Sequence, residues 1–307
     1  MTHETAQKEK RAVALTSVIA AIGLTTSKLI VGLLTNSLGI LAEAAHSGLD
    51  LVAAVMTYFA VRVSDKPPDR EHQFGHGKIE NLSALFETLL LFATSGWIVY
   101  EAIDRLFLHP AEVDASIWAF VVMAASIIID INRSRMLYKA ARKYNSQALE
   151  ADALHFSTDV WSSSVVILGL IGVTIARHIP ALDWMAHADA VAAMFVALIV
   201  VYVSGKLGWR TISALLDTAP KGLAEKVEKA AAAVKGVVDA HAVRILPSGA
   251  HCFIDLHVTM DGKITLSESH TATKVIEKKV RQVIPSADVT IHVEPVAVPT
   301  AKTRRGK

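Results

Sequence analysis

Two short stretches carry acids and histidines at the same intervals. One is Glu43-Ala-Ala-His46-Ser-Gly-Leu-Asp50, the other Asp152-Ala-Leu-His155-Phe-Ser-Thr-Asp159. Each reads acid, two residues, His, three residues, Asp. Asn36-Ser37 and Asn145-Ser146 precede the two histidines at equal offsets, and Ala42 matches Ala151. The pair is a weak internal repeat centred on polar residues. On a helix, i and i+4 share a face, so His46 lies beside Asp50 and His155 beside Asp159. Two imidazoles and two carboxylates converging on one point suit a tetrahedral divalent cation, zinc first.

Two further groups have ligand chemistry. In Asp69-Arg-Glu-His72-Gln-Phe-Gly-His76, the residues Asp69, His72 and His76 can share a turn or a helical face. Toward the C-terminus stand His241, His251, His257, His270, His292 and Glu294. His257 and His292 are expected in strands, His270 on a helix, and His241 just before a strand. His251 and Glu268 read as surface residues. The one cysteine, Cys252, excludes a disulfide framework and a zinc site built on two thiolates of one chain. No G-x-x-x-x-G-K-[ST] loop is present, which argues against a nucleotide as energy source. No H-E-x-x-H motif is present, which argues against a zinc peptidase.

The repeated stretches must be positioned by elements that cross a membrane. Of the 307 residues, 52% are hydrophobic and 20% charged, and the apolar ones gather in the first two thirds. A soluble enzyme and a disordered chain are excluded, and a net charge of +2 is too small for a nucleic-acid binder. A spanning helix needs about 20 mostly apolar residues. Six stretches qualify: 12–34, 38–63, 79–106, 115–137, 148–176 and 188–209. An Asp near the centre of such a span costs about 2.5–3.5 kcal/mol on insertion scales, so the repeat needs a compensating partner. Lys8, Lys10, Arg11, Lys66, Arg70, Lys78 and five basic residues from Arg133 to Lys143 mark one side of the membrane. The bias predicts cytoplasmic termini and makes the second and fifth spans antiparallel. Two antiparallel copies of one motif can meet around a pseudo-two-fold axis near the midplane. The N-terminal segment lacks a cleavable signal pattern, so the first span is expected to be retained. Trp97, Tyr100, Trp118, Trp184 and Trp209 read as interface anchors. Lys28, Glu87 and Asp130 lie within spans and receive no function.

After about Pro220 the pattern becomes that of a small αββαβ domain. Helices are expected over 224–234 and 266–284, strands over 242–246, 252–260 and 289–293, and a turn at Pro247-Ser248-Gly249. The expected organisation is a cytoplasmic segment 1–11, a six-helix membrane domain 12–210, a cytoplasmic domain 211–298, and a basic disordered tail 299–307.

His46-Ser-Gly-Leu-Asp50, Pro68-Asp69-Arg-Glu-His72-Gln-Phe-Gly-His76-Gly-Lys78, the run from Asn145 to Asp159 and the histidine-bearing tail together resemble the cation diffusion facilitator family, zinc-type, over nearly the whole chain. The resemblance implies a homodimeric antiporter that exports divalent metal in exchange for protons. Zinc comes first, with cadmium, iron, cobalt and nickel as further cargoes. It implies a transport site of His46, Asp50, His155 and Asp159, and a loop site of Asp69, His72 and His76. It implies a ferredoxin-like cytoplasmic domain that dimerises and binds regulatory zinc through His241, His257, His270, His292 and Glu294. Lys78 and Asp217 resemble a charge pair that interlocks two protomers. Many bacterial relatives have Asp where this chain has His46, which should favour zinc over larger or harder cations. Glu294 stands where relatives often have Asp. The absence of a histidine-rich insert between the fourth and fifth spans points to a prokaryotic inner membrane. A membrane metal sensor that binds without transporting is the alternative. A membrane-embedded zinc hydrolase would need an open zinc position, which four protein ligands close.

Overall fold

The computed structural model of the chain describes residues 3–35, 38–107, 117–178 and 185–296. The chain divides into two units, 1–215 and 216–307. The expected basic tail 299–307, Asn36-Ser37 and Trp184 lie outside the described residues.

The first unit is a helical bundle: α1 (His3–Thr35), α2 (Leu38–Ser64), α3 (Lys78–Phe107), α4 (Ile117–Tyr144), α5 (Gln147–His178) and α6 (Met185–Leu215). Among the described residues, α1, α2, α3 and α6 each hold a window long and apolar enough to cross a membrane. Helices α4 and α5 are as long, at 28 and 32 residues. The helices overrun the expected spans: α1 begins at His3, α4 runs to Tyr144 and α6 to Leu215. Segments such as Glu4–Arg11 are rich in good helix formers and extend the helix past the length that lipid requires.

The turn between α4 and α5 is very short. Asn145 takes a left-handed conformation with φ 50°, a helix C-terminal device for which Asn is suited. The Ser146 hydroxyl then accepts from the Leu149 N–H at 3.4 Å and caps α5. That cap fixes where α5 starts, and so how deep His155 and Asp159 sit.

The interior of the bundle is made of small and polar residues. Ala14, Ala54, Ala140, Ala141, Ala148 and Ala153 are buried around Val61, Leu137, Leu149 and Phe156. Large apolar side chains such as Ile19, Leu33, Phe59, Trp97 and Tyr202 are exposed. This inverts the pattern of a water-soluble helix bundle and suits lipid, where small residues let helices approach closely. Gly208 shows how closely: a Cβ there would lie 2.9 Å from Thr88 Cγ2, so α6 meets α3 only because glycine is present.

The second unit holds α7 (Leu223–Ala232), β1 (Val237–Ser248), β2 (His251–Met260), α8 (Leu266–Val283) and β3 (Ala287–Pro295). The sheet order is β1-β2-β3, with β1 antiparallel and β3 parallel to the central β2. The parallel pair needs a crossover, which α8 supplies. Val227, Ala231, Ile254, Leu256, Val258, Ile276 and Val280 form the core between the layers. The αββαβ order is as the sequence pattern predicts, with two corrections. First, β1 starts at Val237, so His241 lies inside the strand rather than before it. Register shifts around Val237–Asp239 and His241–Arg244 break the alternation that marks a strand in sequence. Second, Pro247 and Ser248 still pair with Cys252 and His251, leaving Gly249 and Ala250 as the hairpin loop, with Gly249 at φ 58°.

Candidate metal centres

Helices α2 and α5 bring the two repeated stretches face to face. His155 Nε2 lies 3.0 Å from Asp50 Oδ1 and 3.7 Å from Asp159 Oδ2. His46 Nε2 lies 3.8 Å from Asp159 Oδ1 and 3.9 Å from Asp50 Oδ1. The later residue of α2 thus faces the earlier residue of α5, and the reverse, as antiparallel helices require. His155 and Asp50 are buried, while His46 is partly exposed. Ligand atoms of His46, Asp50 and Asp159 lie within 4.8 Å of one another, close enough to share one ion. The donor set is two neutral-capable imidazoles and two carboxylates, which fits a small tetrahedral cation.

Buried charge surrounds this cluster. Arg133 of α4 reaches Asp130 at 3.2 Å and the Ser17 hydroxyl at 3.1 Å, with its guanidinium 3.5 Å above the Phe156 ring. Ser17 also donates to Asp152 at 3.3 Å. The Thr57 hydroxyl bonds to Glu87. Glu87 Oε2, Asp152 Oδ1 and His155 Nδ1 are buried without a hydrogen-bond partner among the described residues. Lys28 bonds to Ser47 at 2.8 Å and to Glu43 at 3.2 Å, beside the first copy of the repeat. Nearer the helix ends Lys10 joins Asp65 at 2.7 Å and Glu80 at 3.2 Å, and Ser64 and Ser146 bond to Glu80.

The segment before α3 is folded around one carboxylate. Asp69 Oδ1 accepts from the backbone N–H of His72 at 2.6 Å and of Glu71 at 2.9 Å. Asp69 also meets His72 Nδ1 at 3.2 Å and His76 Nε2 at 3.3 Å. The backbone N–H of His72, and then that of Glu71, holds the Asp69 carboxyl below its ordinary value. Gly75, at φ 75°, permits the turn that returns His76 to Asp69. These three side chains form a second group with ligand atoms within 4.8 Å.

The third group stands on the sheet. His241, His257 and His292 occupy one row across β1, β2 and β3. His257 Nδ1 lies 2.8 Å from Glu294 Oε1, and His241 Nε2 lies 3.5 Å from Glu294 Oε2. His292 Nε2 is 3.8 Å from Glu294, and its ring centroid is 4.8 Å from that of His257. His241, His257 and Glu294 offer ligand atoms within 4.8 Å. Two imidazoles and a carboxylate at that spacing fit zinc, with room for a fourth donor. Cys252 is no competing thiolate: burial raises its pKa.

Residues 14–216 match the transmembrane domain of cation efflux proteins, and residues 219–296 match the cytoplasmic domain of the same proteins. The chain belongs to the cation efflux family. The cation-efflux pump FieF of Yersinia enterocolitica is 30% identical over 293 residues, covering 94% of this chain and 93% of that pump. FieF of Cronobacter sakazakii is 30% identical over 301 residues, covering 97% and 96%. A solved structure of CzrB in its Zn form is 22% identical, covers 25% of this chain and 90% of CzrB, and has a TM-score of 0.24, too slight a likeness to carry an argument. Membership in the family makes the chain an integral membrane transporter that exports divalent cations, and not an enzyme.

Within this cation-efflux fold the predicted site residues fall into three clusters and a remainder. His270 lies exposed on α8, outside the sheet cluster. Lys78 opens α3 in the bundle unit, and Asp217 sits with φ 61° at the start of the second unit. Glu268, read as a surface residue, closes a capping box with Thr265 at the start of α8. Arg133, Ser17 and Asp152 stand beside the expected site residues; charge inside an apolar span is the signal that finds Arg133 and Asp152, while nothing local marks Ser17.

Proposed function

We propose that the protein exports divalent metal, zinc foremost, in exchange for protons at His46, Asp50, His155 and Asp159. The observation that carries this reading is the meeting of two antiparallel His-x-x-x-Asp copies inside the bundle, with His155 Nε2 3.0 Å from Asp50. Zinc needs neutral imidazole and ionised carboxylate, so binding releases protons and protonation releases metal. Open to the cytoplasm, the site exchanges protons for zinc; open to the more acidic side, it exchanges zinc for protons. The gradient then drives efflux without a nucleotide. The extra imidazole of His46 favours zinc over cadmium or manganese.

The protein is placed by this reading in a cytoplasmic membrane with both termini inside, as a homodimer. Asp69, His72 and His76 serve as a second metal site. His241, His257, His292 and Glu294 hold regulatory zinc on the tail. His270, exposed and apart, is left to contribute to a metal shared with a second tail domain. Lys78 and Asp217 interlock the protomers.

Flux from proteoliposomes under an imposed pH gradient tests the proposal, with zinc, cadmium, iron, cobalt, nickel and manganese compared. Asp159→Ala is expected to abolish zinc flux and leave the dimer folded. Preserved flux would remove Asp159 from the transport site. Metal-dependent proton release without flux would favour a sensor.

A further inference from the structure

His241 is held from outside its own cluster. Asp239 Oδ2 lies 2.9 Å from His241 Nδ1, while His241 Nε2 points toward Glu294 at 3.5 Å. Asp239 and His241 are two residues apart on β1 and so share a face of the strand. Irregular register flanks them on both sides, and Ala242 adopts φ 52°, an unfavourable conformation for a residue with a Cβ. An ionised carboxylate only accepts, and a neutral imidazole carries one N–H. A neutral ring that donates from Nδ1 to Asp239 at 2.9 Å turns its Nε2 lone pair toward His257 and Glu294. His257 differs: its Nδ1 faces Glu294 at 2.8 Å, so without metal those two groups hold each other.

We propose that Asp239 is a positioning residue of the tail metal site, fixing the tautomer and orientation of His241 so that Nε2 is presented to the ion. The inference rests on the reading of the tail cluster as a metal site. A carboxylate behind a metal-binding histidine orients the ring and raises its basicity, and losing such a partner costs about 10–100-fold in affinity. Both side chains are partly open to water, with Asp239 63% and His241 41% exposed, so the low end is expected here.

The test uses the full chain in detergent, with Asp159→Ala, His72→Ala and His76→Ala added so that the other clusters do not compete. Zinc affinity is measured against a chelator, and ring 15N shifts report the His241 tautomer without metal. Asp239→Ala is expected to weaken zinc binding about tenfold and move His241 toward the Nε2–H form. Asp239→Asn, whose amide oxygen still accepts, should recover most of both. Unchanged affinity and ring signal in Asp239→Ala, with His241→Ala still weakening zinc, would overturn the positioning role and leave the tail site standing. Unchanged affinity in His241→Ala would overturn both.

Discussion

In the bundle, His155 and Asp50 meet with 3% and 7% of their surfaces exposed. On the tail sheet, the His241 and Glu294 side chains meet with 41% and 36% exposed. The donor chemistry is the same, and the solvent is not. Among the helices, each charge must find an ion, a proton or a protein partner, because unpaired charge in low dielectric is costly. Under the proposed exchange, metal and protons are therefore interchangeable occupants of that site. On the sheet, water can solvate an empty cluster, so occupancy follows the metal concentration. Under the proposed function the same side chains serve transport in one place and sensing in the other.

The comparison breaks first at its ligands. His155→Ala should reduce zinc flux to the level of empty vesicles, whereas His241→Ala should retain measurable flux and alter its dependence on zinc concentration. Complete loss of flux in both, with folding intact, would erase the distinction. Buried charge comes next. Lys10 is enclosed with Asp65 and Glu80, so Lys10→Ala removes the buried ammonium between them, leaving Asp65 to Arg11 and Glu80 to the Ser64 and Ser146 hydroxyls, and should cost about 3–5 kcal/mol in denaturant unfolding.

A smaller effect is expected at the α8 cap. Thr265→Ala should cost about 1 kcal/mol. The Thr265 backbone N–H, followed by its hydroxyl, lowers the Glu268 pKa. The carboxylate contribution is then fully present above the ordinary glutamate range and fades as pH falls through the lowered value. Glu268→Gln should therefore speed amide exchange at the start of α8 at neutral pH and make little difference in strong acid. The smallest effect belongs to Arg244, whose pair with Asp255 at 3.3 Å is largely solvated. Arg244→Ala should change the unfolding free energy by less than about 1 kcal/mol. A loss as large as that of Lys10→Ala would mean that exposure does not separate the two regions.

Much of the fold is readable in the sequence because lipid imposes a simple rule. Twenty apolar residues make a span. The His-x-x-x-Asp repeat declares its chemistry by spacing alone, since a helix face needs no partner to be recognised. Turn chemistry is equally local: Asn145-Ser146 both ends α4 and begins α5.

Long-range pairing is not written in spacing. No pattern shows that Arg133 would bond Ser17, or that Lys28 would reach Ser47. Three strands had to align in register before His241, His257 and His292 formed a row. Asp239 stands beside His241 Nδ1, two residues earlier on β1. The sequence determined which groups can bind metal, because type and helical period are local properties. Tertiary structure decided which of them meet, because contacts between distant segments depend on depth, register and strand distortion that no short window contains.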